Sequence, residues 1–139
     1  MKFICVAAIL LAGCASPVVH NTASGKPERL FSSPPDQVRA ALITELVNRH
    51  YSITQETQSL IVGEKVTKEV GVTLAYGTGF GPPTVRSSFT MIPNPPGTRV
   101  VGDIVLIQNA GTGFQRIFPM DDSAGSNEMQ AALNAIPLP

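Results

Sequence analysis

The segment Arg99–Gln108 constrains this chain most. Val100, Ile104 and Leu106 alternate with Val101, Val105 and Ile107, so a strand here is apolar on both faces. Such a strand needs a central position covered on both sides, or a dimer interface. The neighbouring sequence offers partners. Val85–Ile92 places Val85, Ser87, Phe89 and Met91 on one face, and Pro93-Asn94-Pro95-Pro96-Gly97 forms a turn before Arg99. Further strand candidates are Arg29-Leu30-Phe31, an extended region from Tyr51 to Thr54, Ser59–Val66, Val70–Tyr76 and Gln115–Met120.

Two segments have helical periodicity. Ser33 is placed to cap a helix, Pro34 suits its first turn, and Asp36 favours the positive end of its dipole. Val38, Leu42 and Leu46 give that helix an apolar face to about Arg49, widened by Ile43 and Val47. Ser126 opens a second helix with Met129, Ala132, Leu133 and Ile136 at helical spacing, and Pro137 stops it. The order of elements predicts an α+β domain over 28–139, an antiparallel sheet of about four to five strands with two helices packed on one face. With 139 residues, 43% hydrophobic and 14% charged, the chain has room for one domain with a real core. Equal numbers of basic and acidic residues, and no Trp, argue against a nucleic-acid-binding or base-stacking surface.

The first residues read differently. Lys2 precedes an unbroken apolar run, Phe3–Leu10, followed by Leu11-Ala12-Gly13-Cys14. The run is about half the length that spans a membrane. The pattern is that of an export signal with small residues before the cut. The Leu-Ala-Gly-Cys string resembles the lipobox of bacterial lipoproteins. That resemblance implies a signal peptide over 1–13, cleavage between Gly13 and Cys14, and a diacylglyceryl group on the Cys14 sulfur. It also implies, through Ala15, a place on the periplasmic side of a Gram-negative outer membrane. Cys5 would be lost with the signal, leaving no thiol for a disulfide. Residues 14–27, rich in Ser, Pro, Asn, Thr and Gly, read as a flexible tether containing His20. The order of elements is loosely similar to domains of envelope lipoproteins, including the third lipoprotein of the outer-membrane barrel-assembly machinery. The whole chain is similar to small lipoproteins of bacteria and their prophages.

Few residues invite chemistry. Gly77-Thr78-Gly79-Phe80-Gly81 has phosphate-loop glycines, but Pro82, Pro83 and another strand follow instead of a helix, which favours a hairpin loop. Thr78-Gly79-Phe80 recurs as Thr112-Gly113-Phe114. The expected state is two turns with Phe80 and Phe114 folded onto the core; the alternative is a pair of contact loops with both rings exposed. Asp121-Asp122-Ser123 with Glu128 lacks calcium-loop spacing. His50, with Glu45 or Glu56 near in sequence, has no accompanying nucleophile motif. The expectation is therefore a non-enzymatic, membrane-anchored interaction or accessory module, with an envelope protein as partner. It has no metal and no cofactor beyond the lipid on Cys14. Two alternatives remain. One is a small domain holding a lipid or other apolar molecule between helix and sheet; the other is a prophage-type lipoprotein that excludes competing phages.

Overall fold

A computed structural model describes residues 18–68, 81–121 and 124–139. Its hub is the two-faced strand. β5 (Gly97–Gln108) pairs along its whole length with β4 (Thr84–Asn94), in register from Asn94↔Gly97 to Thr84↔Ile107. Its other edge carries β1 (Glu28–Phe31) at its beginning and β6 (Arg116–Pro119) at its end. Beyond β4 lie β3 (Leu60–Val66) and then β2 (Ser52–Glu56), giving the order β1-β5-β4-β3-β2 with β6 beside β5. Every pairing is antiparallel. Central placement accounts for the double apolar pattern: Val100, Ile104 and Leu106 are buried on one face and Ile107 on the other.

α1 (Pro35–Asn48) buries Val38, Leu42 and Leu46, the face given by their spacing, whereas Val47 is exposed. The start differs from the expectation. Pro34 occupies the cap position and makes no side-chain cap. Ser33 is buried instead, and its carbonyl accepts the Thr98 hydroxyl at 3.0 Å. α2 (Ala124–Ala135) begins two residues before Ser126 and buries Met129, Ala132 and Leu133, with Ile136 just beyond its end.

The α+β class holds, with two corrections of detail. The sheet has six strands among the described residues, because β6 returns beside β5. The helices also do not form one continuous layer. α1 packs mainly on β2 and β3, α2 on β5 and β1, and a cleft separates them. Much of the expected tether is fastened down. His20 shares a hydrogen bond with Ser126 (Nε2···Oγ 2.5 Å), Lys26 pairs with Asp103, and the Gly102 amide donates to the Pro27 carbonyl at 2.7 Å. Residues 14–17 and the strand expected over Val70–Tyr76 lie outside the described residues.

β1 carries the interactions that fix α2. The Arg29 guanidinium donates to the carbonyls of Leu133 and Ile136 at 2.8 Å each, Asn134 at 3.2 Å and Leu138 at 2.6 Å. It also lies 4.4 Å from the centre of the Phe31 ring. Leu133 and Asn134 belong to the last turn of α2 and Ile136 and Leu138 follow it; α2 has no basic residue of its own in that turn. A tertiary contact thus does what a local cap usually does. The Glu28 amide donates to Gln130 Oε1 at 2.8 Å, and Gln130 Nε2 returns a bond to the Glu28 carbonyl at 3.0 Å. The Glu28 carboxylate accepts from Arg99 Nε at 2.6 Å and Nη2 at 2.9 Å.

Arg29→Ala leaves those carbonyls without their charged donor. It should lower unfolding stability by about 2–3 kcal/mol in urea melts, with Arg29→Lys recovering only part of the loss. The Arg99 guanidinium, helped by Ser24, pushes the Glu28 carboxyl down to about 2 from its ordinary 4.5. The folded state therefore favours the ionised form. The resulting stability is complete above about pH 4.5 and is lost as pH falls through about 2. Urea melts from pH 5 to pH 2 should show the native chain losing about 1–2 kcal/mol more than Glu28→Gln over that window.

Candidate functional site

The cleft between the helices is built on two glycines. Gly63 of β3, Ser87 of β4 and Ile104 of β5 stand in one row across the sheet; Ile61, Phe89 and Gly102 stand in the next. A Cβ on Gly63 would come within 3.2 Å of Leu46 Cδ2 and of Tyr51 Cβ. A Cβ on Gly102 would collide with the Met129 sulfur. Each helix thus settles onto the sheet over a residue without a side chain, α1 over Gly63 and α2 over Gly102. Between these two footholds Ser87, Phe89 and Ile104 remain as a floor.

Leu42 and Leu46 form one wall and Met129, Ala132 and Leu133 the other, enclosing about 240 Å³. Arg29 holds the C-terminal end of α2 beside β1, so the first turns of α2 lie at the opposite end of the cleft. There Gly125 and Glu128 face Arg49, Tyr51 and Lys65 around the mouth.

The α1 terminus places that last group. His50 adopts φ 64°, its amide donates to the Val47 carbonyl at 3.0 Å, and the Tyr51 amide donates to the Leu46 carbonyl at 2.9 Å. This paired closure of the helix end folds Tyr51 back against Leu46. Arg49 binds Glu45 (Nε···Oε1 2.5 Å), and the Lys65 ammonium lies 4.9 Å from the centre of the Tyr51 ring. Among the described residues neither Lys65 nor Glu128 has an ion-pair partner. Ser87 is 3% exposed and lines the cleft.

The residues singled out from sequence fall elsewhere. Cys14, Gly13 and Phe80 lie outside the described residues. Phe114 is 70% exposed on the loop between β5 and β6, not folded onto the core, because that loop projects past the end of the sheet. His50 is an exposed helix-end residue and is not brought to a nucleophile. The carboxylate of Asp121 faces Lys26 at 3.9 Å while Glu128 stands at the cleft, and Asp122 and Ser123 lie outside the described residues. Among the described residues no group of three or more His, Cys, Asp and Glu could hold a metal. His20 with Ser126 has the residue types of a base and a nucleophile, but Ser126 is 0% exposed, so no substrate reaches its hydroxyl. The pair fastens the N-terminal strap.

No residue motif marked the cleft. Its only sequence signal was a pair of glycines interrupting two strands, Gly63 and Gly102, the mark of a close approach to the backbone. No protein-family model matches the chain, and no curated protein matches it either.

Proposed function

We propose that this chain is a membrane-anchored bacterial envelope lipoprotein whose domain acts by binding, as a non-enzymatic interaction or accessory module. The observation that carries the reading is Leu11-Ala12-Gly13-Cys14 directly after a short apolar run with one positive charge. A diacylglyceryl group on Cys14 supplies the two chains that stable anchoring requires. Two structural facts support it. Among the described residues, the sheet, both helices and the cleft are built from residues after 27. Among the described residues, no helix is long and apolar enough to cross a membrane. The apolar cleft and the exposed Phe114 ring give the domain surfaces for contact.

In cells fed labelled fatty acid, the native chain should take up label and fractionate with membranes. Cys14→Ala should take up none and remain as the longer, uncut precursor; normal labelling of that variant would overturn the anchoring proposal. Crosslinking in intact cells followed by mass spectrometry should recover one defined envelope protein on the domain. Recovery of only the most abundant proteins, unchanged between lysates, would count against an interaction module.

A further inference from the structure

We propose that the loop between β5 and β6 is a second membrane contact, in which Phe114 enters the headgroup boundary of the phospholipid bilayer that holds Cys14. The proposal deepens the anchoring reading and rests on it. The strap sets the distance. His20 is fixed to Ser126 in the first turn of α2, and α2 follows β6 in the chain. The anchor therefore leaves the domain near the base of the β5–β6 hairpin. Cys14 is six residues before His20, a reach of roughly 20 Å when fully extended. That reach is on the scale of the domain itself, whose length gives a radius of gyration of roughly 14 Å. A lipid on Cys14 thus keeps the domain against the bilayer instead of letting it swing clear. Val19, 85% exposed, lies on that short path.

The loop has the chemistry of such a contact. From Ile104 to Met120 the only ionisable side chain is Arg116. Phe114 is 70% exposed and Ile117 is 51% exposed. Backbone enters a lipid boundary at low cost only where its polar groups are already satisfied. Here the amides of Gly111, Thr112, Phe114 and Gln115 all donate within the loop. Their acceptors are Gln115 Oε1, the Asn109 carbonyl, the Thr112 hydroxyl and the Thr112 carbonyl, at 3.2–3.3 Å. The Thr112 hydroxyl in turn donates to the Asn109 carbonyl at 2.8 Å. Arg116 is exposed and follows Phe114 by two residues, roughly 7 Å along the chain. With the ring at the acyl boundary, the guanidinium reaches the lipid phosphates while its stem lies along apolar surface. A protein could also cover the ring, but the single positive charge and the short anchor select the bilayer. One ring would not hold a free protein on a membrane. On a domain already tethered the contact is intramolecular, and a weak interaction suffices.

The chain has no Trp, so Phe114→Trp places a single fluorescent reporter in the loop. Leu30→Trp serves as the control, at a 60% exposed position beside Arg99 and so at the opposite end of β5. Each full-length chain, purified from membranes, is reconstituted in phosphatidylethanolamine–phosphatidylglycerol vesicles and floated on a density gradient. Parallel vesicles contain phospholipids brominated on their acyl chains. Both variants should float. Emission of Phe114→Trp should shift to shorter wavelength and lose most of its intensity in brominated vesicles, whereas Leu30→Trp stays unshifted and unquenched. Adding Arg116→Glu to Phe114→Trp should reduce the quenching severalfold; unchanged quenching would overturn the phosphate pairing. A Phe114→Trp chain that floats without quenching would overturn the hairpin contact and leave the anchor standing. A shift to shorter wavelength without quenching by bromine would put a second copy of the chain on the loop, which also overturns it. Equal quenching at both positions would mean that the domain presents no chosen face to the bilayer. A chain that carries no lipid and does not float would overturn the anchoring reading, and this proposal with it.

Discussion

The arrangement turns on Arg29. One guanidinium from a four-residue edge strand binds four carbonyls at and beyond the end of α2. The helix has no cation of its own in its last turn. The contact sets where α2 stops, how close it lies to β1, and therefore where its first turns project. Glu28 and Gln130 exchange two further bonds beside it, so β1 and α2 are joined through backbone and side chains together. Without this clamp the helix would still be amphipathic, but only Met129 over Gly102 and the His20–Ser126 bond would remain to set its position on the sheet.

The glycines make the complementary adjustment from below. Gly63 and Gly102 lower each helix onto a different strand, and the diagonal offset between them keeps the helices apart. The space left over is a property of this offset, not of any one residue. It is lined by side chains that would otherwise have met across a continuous helical layer. The mouth draws its charges from the end of α1, the first turns of α2 and strand β3 between them in sequence. Hence Arg49, Lys65 and Glu128, far apart in sequence, converge there.

Much of the fold was legible because it followed from periodicity. Val38, Leu42 and Leu46 face the core as their spacing requires, and so do Met129, Ala132 and Leu133. The double apolar pattern of Arg99–Gln108 announced a central strand, and β5 is the strand on which the sheet is assembled. Local signals were less secure where a distant partner competed. Ser33 had the right chemistry for a cap, yet Thr98 claims its carbonyl and the side chain is buried. His20 sat in a polar segment without periodicity, yet Ser126, more than a hundred residues on, binds it. Phe114 is large and apolar, yet it sits on the loop between β5 and β6 and is 70% exposed.

By itself the sequence determined the helices, the central strand, the α+β class and the signal-like segment ending at Cys14. Each of these depends on residues adjacent in the chain or repeating at a fixed period. Only the tertiary structure decided the cleft, the clamp on α2 and the strapping of residues 18–27. They depend on which side chain lies over a glycine, which guanidinium reaches a helix end, and which hydroxyl meets His20. Such pairings carry no period along the chain and come into being only when the sheet has brought their members together.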